Sequence, residues 1–336
     1  MPGAQVCALR RGQMFLHAAL GTLDGERAVT TDTVYDLASV TKPMATAATL
    51  LTLVEQGRLT LAASVPSLLG ERAAHLANVT VLHLLTHTSG LPAWKALYRS
   101  GTGTDAALAA ILRIPMGAPP GTKYEYSCLG FILLQHIIEA VSGTPLDELA
   151  RTNVFEPLGL TSVTYRPPGE LHDRIAPTRS DETVGEGEDA GKHIVGLVHD
   201  GNARGVGGVS GNAGLFGTAR EVAAFGDAVR QGGACSQRLF GAPTTARVLA
   251  SQIKPEVGAH TLLFFAQGNG LCPSGDLLSP RAVGHSGFTG TLLTLDPEYD
   301  LTVAVLTNRV FSDPTDGSKW LGVRRKFLNA LAAALC

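Results

Sequence analysis

The stretch DLASVTKPMATAATLLTLVEQG, residues 36–57, decides how the rest of the chain is read. It places Ser39-Val-Thr-Lys42, an S-x-x-K tetrapeptide, at the mouth of an alanine- and leucine-rich helical segment. Pro43 falls in the first turn, where a missing N–H costs nothing, and Gly57 suits a left-handed helix stop. Residues three apart share a helical face, so the Lys42 amine is predicted beside the Ser39 hydroxyl. Backbone N–H groups and the positive end of the helix dipole at Ser39 favour a developing oxyanion. The segment is apolar nearly all round, which predicts burial. Burial disfavours an ammonium, so Lys42 is expected as a neutral amine that takes a proton from serine.

The tetrapeptide has little weight alone, because Ser251-Gln-Ile-Lys254 repeats it and runs into Pro255 without opening a helix. Context comes from the flanking chain. Residues 4–21 alternate as a hairpin with Arg10-Arg11-Gly12 at the turn, and residues 30–35 lead into the Ser39 helix. Residues 59–69 read as a loop or short helix, and residues 80–85 open another. His83 and His87 stand four apart, a metal-binding spacing, but no acid adjoins them and Ser89-Gly90-Leu91-Pro92 ends the helix. They read as structural histidines.

Residues 104–114 form a short helix. APPGTKYEY (118–126) is a rigid turn that delivers Tyr124 and Tyr126 ahead of a helix at 129–141, stopped by Ser142-Gly143, with another at 145–154. Residues 163–193 lack periodicity and carry Asp181, Glu182, Glu186, Glu188 and Asp189, which reads as a long solvated loop. Gly191-Lys192 lacks the upstream glycine of a phosphate loop. In GNARGVGGVSGNAGLF (201–216), Ser210 breaks the dinucleotide pattern, so its glycines predict close backbone approach instead. A helix follows at 218–232. Strands are expected at 261–267, 282–284, 290–295 and 302–307, with Asp296-Pro-Glu as a turn, before an amphipathic helix at 319–335.

Strands thus lie at both ends of the chain and helices fill its middle. The fold class that follows is α/β plus all-α: an antiparallel sheet from both chain ends, flanked by helices, with an inserted helical region. The boundaries are residues 1–58 and 250–336 for the sheet domain and 59–249 for the insert. The Ser39 helix would lie at the junction, where clefts form.

Composition narrows the partners. A chain of 336 residues, 45% hydrophobic and 17% charged, can bury an ample core. A net charge of −2 argues against nucleic acid or an anionic membrane as the main partner. No apolar run reaches the length of a membrane span. The N-terminus reads as strands, not a signal peptide, so a cytoplasmic protein, or one exported with its leader removed, is expected. Five scattered cysteines without C-x-x-C spacing argue against a disulfide framework and a zinc site. No metal or cofactor is expected.

With YDLASVTKP (35–43), LLTHTSGLP (84–92), PPGTKYEYSCLGFILL (119–134), EPLGLTS (156–162), GNAGLFGTA (211–219) and GHSGFTGT (284–291) in this order, the chain resembles a known superfamily. It is that of serine β-lactamases and penicillin-binding proteins, on the side of class C β-lactamases and their esterase and peptidase relatives. The resemblance spans nearly the whole chain. It implies Ser39 as nucleophile, Lys42 as its proton partner, and Tyr126 as the tyrosine of Y-x-N that shuttles a proton to the leaving group. His285-Ser286-Gly287 matches the third motif, K-T-G or H-x-G. This places His285 among the catalytic groups and Ser286 and Gly287 against substrate on a strand bordering the cleft. The backbone N–H groups of Ser39 and Phe288 would form the oxyanion hole.

Two departures bear on substrate. Cys128 stands where the family has Asn, and a thiol donates and accepts only weakly. His285 in place of Lys removes a permanent cation that could pair with a β-lactam or peptide carboxylate. Asn212 stands where close relatives often have His and receives no role. The expectation is a serine hydrolase forming an acyl-enzyme on Ser39, acting on small carboxylic esters or amides. A D-alanyl or muropeptide-directed peptidase, a weak β-lactamase, and a sensor acylated once without turnover are the alternatives. An α/β-hydrolase fits poorly, since GHSGF at 284–288 is not G-x-S-x-G.

Overall fold

The computed structural model describes residues 2–179, 191–232, 238–312 and 317–335. β1 (Gly3–Arg10) and β2 (Gln13–Gly21) form the N-terminal hairpin. At its tip Arg11 and Gly12 take φ of 52° and 75°, a double left-handed turn that matches strand twist. β3 (Tyr35–Asp36) then feeds the Ser39 helix.

That helix is not regular. It opens as a 3₁₀ turn at Ala38–Val40, widens into a π turn at Lys42–Ala47, and becomes α-helical only in α1 (Ala48–Glu55). Pro43 lacks the N–H that an α-helix would direct at the Ser39 carbonyl, so the regular ladder cannot start there. Gly57, at φ 70°, ends the run.

The helical body holds α2 (Val65–Leu69), α3 (Val81–Leu85), α4 (Thr104–Ile111), α5 (Cys128–Ser142) and α6 (Leu146–Ala150), the last continuing as a π turn at Arg151–Phe155. Thr80 and His83 close a reciprocal capping box on α3, which gives His83 its structural role. Ser127 caps α5 by accepting from Gly130 N, and Gly143 terminates it in the left-handed region.

The stretch expected as a structureless loop carries short elements, β4 (Thr164–Tyr165), β5 (Thr178–Arg179) and β6 (His193–Ile194). Its acidic residues 181–189 lie outside the described residues. α7 (Gly201–Gly205), β7 (Leu215–Gly217), α8 (Ala219–Gln231) and α9 (Ala242–Val248) follow. β8 (Phe265–Ala266), β9 (Val283–Ser286), β10 (Leu292–Asp296), β11 (Leu301–Thr307) and α10 (Ser318–Ala333) complete the chain.

The main sheet is antiparallel, in the order β2-β1-β11-β10-β9-β8. β1 lies beside β11 with Cys7 opposite Ala304, so both ends of the chain meet in its centre. Alternation gives it two buried faces. Val6, Ala8, Leu292, Val303 and Val305 pack under Leu328 and Ala332 of α10. Cys7, Leu293, Leu295, Ala304 and Leu306 join the larger core with Val222, Phe225 and Val229 of α8. Gly226 lets α8 settle on the sheet, because a Cβ there would lie 2.7 Å from Leu293 Cδ1. The sheet's inner helix therefore comes from the 59–249 stretch. Among the described residues no single helix is long and apolar enough to cross a membrane.

Candidate active site

The turn that presents Ser39 is built by Asp36 and Ala38. Ala38 takes φ 48°, an uncommon conformation for a residue with a Cβ. Asp36 holds it there: Oδ1 accepts from Ala38 N at 2.8 Å, and Oδ2 accepts from His199 N at 2.6 Å. Burial raises the Asp36 carboxyl to about 6 against those two N–H groups, which lower it. The first helical hydrogen bond runs from Val40 N to Leu37 O, which leaves the Ser39 amide ahead of the ladder.

Ser39 lies in the 3₁₀ turn and Lys42 opens the π turn, and residues three apart along such a run share a face. Lys42 Nζ accordingly donates to Ser39 Oγ at 3.1 Å, and also to the Asn212 carbonyl at 2.9 Å. Lys42 is fully buried. Its charge departs from expectation. Burial is the largest influence and lowers it, but Cys128, Tyr126 and Asp200 outweigh burial and hold the ammonium above its ordinary value. The neutral amine expected from burial alone is corrected by these partners.

Tyr126 and Cys128 enter from the head of α5. The Tyr126 hydroxyl is buried without a well-formed hydrogen bond, and its ring lies 5.1 Å from Lys42 Nζ. Burial raises the phenol, while Lys42 and Ser39 pull it back down. The Cys128 thiol is likewise raised by burial and lowered by Lys42. Lys42, Tyr126 and Cys128 thus titrate as one coupled group beside the Ser39 hydroxyl.

The third wall is the end of β9 and the turn after it. Gly287 N donates to Thr291 O at 2.8 Å and Gly290 N to Gly287 O at 3.0 Å, a turn that leaves the Phe288 amide outside both bonds. A Cβ on Gly287 would lie 2.6 Å from the Leu37 carbonyl, so only glycine lets this strand end approach the Ser39 turn. Ser39, Tyr126, Cys128, Ser286, Gly287 and Phe288 all line one cavity of about 530 Å³. His285 does not. It is buried, its ring stacks on Phe265 at 4.5 Å, and its Nδ1 donates to the Ser286 carbonyl at 3.0 Å. Burial holds it well below its ordinary value, so it is a neutral ring, 6.0 Å from that of Tyr126.

Three contributors escaped the sequence. Asp36 shapes the nucleophile turn, and Asn212 acts through a carbonyl that any residue would offer. His87, read as structural, does its structural work at the site, bonded to both sides of Tyr126. Only its place in the LLTHTSGLP stretch, one of the motifs carrying the resemblance, hinted at it. Among the described residues no three His, Cys, Asp or Glu side chains converge on a metal-sized site.

Fold and site together define a hydrolase of the β-lactamase/transpeptidase superfamily. A profile of the beta-lactamase family matches residues 1–326, and the chain belongs to that family. A relative in Escherichia coli K12, provisionally named a D-alanyl-D-alanine carboxypeptidase, is 33% identical over 320 residues, covering 86% of this chain and 72% of its own. The hydrolase EstCE1 shares the fold with a TM-score of 0.77 at 20% identity, covering 98% of this chain and 93% of its own. A class C β-lactamase from Rhodobacter sphaeroides does so with a TM-score of 0.73 at 19% identity, covering 99% and 95%.

Proposed function

We propose that the protein is a serine hydrolase that forms an acyl-enzyme on Ser39 and turns over small carboxylic esters or amides. The observation that carries this reading is the 3.1 Å contact between Lys42 Nζ and Ser39 Oγ, with the Tyr126 ring 5.1 Å from that amine and Ser39 and Tyr126 both on the wall of one cavity.

The chemistry follows from the positions. Once the Lys42–Tyr126 pair has lost one proton, it takes the proton of Ser39 as Oγ bonds to the substrate carbonyl carbon. The oxyanion so formed is placed for the free amides of Ser39 and Phe288. Collapse breaks the bond to the alcohol or amine, which leaves with a proton from Tyr126. Water then gives its proton to the same pair, attacks the acyl carbon, and releases the acid with Ser39 restored.

A peptidase acting on D-alanyl substrates is the second reading, favoured by the name of the Escherichia coli relative. The weak hydrogen bonding of Cys128 and the neutral His285 favour esters over it. Steady release of p-nitrophenol from p-nitrophenyl acetate, lost together with fluorophosphonate labelling in Ser39→Ala, is the expected result. A single stoichiometric burst would instead describe a sensor. Labelling that survives Ser39→Ala but disappears in Ser286→Ala would end the assignment of the nucleophile.

A further inference from the structure

The two amides proposed for the oxyanion hole sit on turns from distant parts of the chain, and one residue touches both sides. His199 lies between β6 and α7. Its neighbours fix its backbone: Val198 is buried in a small core with Val34 and Phe216, and Asp200 caps α7 through Ala203 N at 2.8 Å. From there the His199 N–H donates to Asp36 Oδ2 at 2.6 Å, on the carboxylate that holds the Ser39 turn. The His199 ring is buried and stacks on the Phe288 ring, with centroids 5.5 Å apart and planes 29° from parallel. Phe288 is otherwise poorly held. It is 49% exposed and stands in Gly287-Phe-Thr-Gly290, where a glycine at each end makes peptide rotation cheap. The Thr289 and Thr291 hydroxyls donate to the Asp36 and Leu37 carbonyls at 2.8 and 2.9 Å. Those bonds set how far apart the two turns lie, not how the Phe288 peptide is rotated. Arg309 also lies over the Phe288 ring, at 4.7 Å, but its own N–H donates to the Thr289 carbonyl, so it moves with that turn.

We propose that His199 is a positioning residue for the oxyanion hole, its N–H holding the Ser39 turn through Asp36 and its ring setting the rotation of the Phe288 peptide. The proposal rests on the hydrolase reading for what the two amides do. Donors aimed at a developing charge act most strongly when they need not reorganise as it forms, so a peptide free to swing loses part of its effect. The imidazole serves here as a flat ring, not as an acid or base. Any side chain that stacks equally well on Phe288 will replace it.

Variants of the ring test this while leaving the backbone N–H in place. His199→Ala should lower kcat for p-nitrophenyl acetate about tenfold, less than the loss of a whole oxyanion donor, with KM little changed. His199→Tyr keeps a stacking ring without the imidazole's titration, and should retain most of the rate at every pH. Trifluoromethyl hexyl ketone, which adds to serine as an oxyanion, should bind His199→Ala about tenfold more weakly, while methyl hexyl ketone binds both proteins alike. Phe288→Ala and His199→Ala should together cost little more than the larger of the two alone. In protein carrying isotope-labelled phenylalanine, the NMR resonance of the Phe288 amide, assigned by its loss in Phe288→Leu, should move in His199→Ala and stay near its place in His199→Tyr. A wild type with neither ester turnover nor a ketone adduct would reject the hydrolase reading, and the amide resonance would then decide the coupling by itself. An unmoved Phe288 amide or an unchanged kcat in folded His199→Ala overturns the proposal. So does an equal loss of rate in His199→Tyr and His199→Ala, or an equal weakening of both ketones.

Discussion

His87 grips Tyr126 from both sides: its carbonyl accepts from Glu125 N at 2.9 Å, and its Nδ1 accepts from Ser127 N at 3.1 Å. Its ring also packs 4.6 Å from the Tyr126 ring. An accepting Nδ1 fixes the tautomer with the hydrogen on Nε2, and burial keeps the ring neutral, well below its ordinary value. His87 is thus a positioning residue for the phenol. His87→Ala should lower kcat for p-nitrophenyl acetate about a hundredfold with far less change in KM, since the cavity walls remain. His87→Asn, whose side-chain oxygen can still accept from Ser127, should recover part of the loss. Identical kcat values in the two folded variants would refute the clamp.

The rate should rise from neutral to alkaline pH. Cys128, Tyr126 and Asp200 together keep Lys42 protonated above its ordinary value, so the pair loses its first proton late. Cys128→Ala removes the largest of those upward influences and should move the limb to lower pH. The measurement is kcat/KM against pH for an uncharged ester. A limb that stays in place or moves upward in Cys128→Ala contradicts the coupling.

Asp36 sets a different pH dependence, in stability. Its carboxyl is raised from 3.8 to about 6, so the folded state binds that proton more tightly than the unfolded chain. The stabilisation is complete below the unfolded value and is lost as pH rises through the folded one. Over that window it amounts to something on the order of 3 kcal/mol. Urea melts of wild type and Asp36→Asn should therefore differ by an amount that changes with pH between those two values. A constant difference would show that Asp36 does not titrate there.

Cys128→Asn should shift selectivity toward amides. The asparagine amide offers a full donor and acceptor where the thiol offers weak ones, and one neutral hydrogen bond is worth about threefold to tenfold in rate. The readout is the ratio of p-nitroanilide to p-nitrophenyl ester hydrolysis with the same acyl group. No change in the ratio would show that substrate choice is set elsewhere in the cavity.

What the sequence disclosed was what local pattern dictates. The hairpin at β1 and β2 and the stops at Gly57 and Gly143 each follow from a few adjacent residues, whereas the caps at Thr80 and Ser127 appear only in the structure. The strand expected at 261–267 shrinks to Phe265–Ala266, because Thr261 Oγ1 accepts from Leu263 N and Phe264 N and folds that backbone into a turn. The ordered motifs marked Ser39, Lys42, Tyr126 and Cys128. They did not show that His285 would be screened by Phe265, since that depends on how β8 and β9 pack. The charge on Lys42 was equally hidden, because it is decided by groups brought together from distant parts of the chain.

The pairing of β1 with β11 has a consequence for timing. The helix bearing Ser39 leaves the ribosome before the turn holding Phe288 and the strands that seat it. If Ser39 and the Phe288 amide act as proposed, a nascent chain carries that hydroxyl without one of its oxyanion donors until these strands insert. On that proposal, premature termination before β9 would release most of the helical body without acylating power.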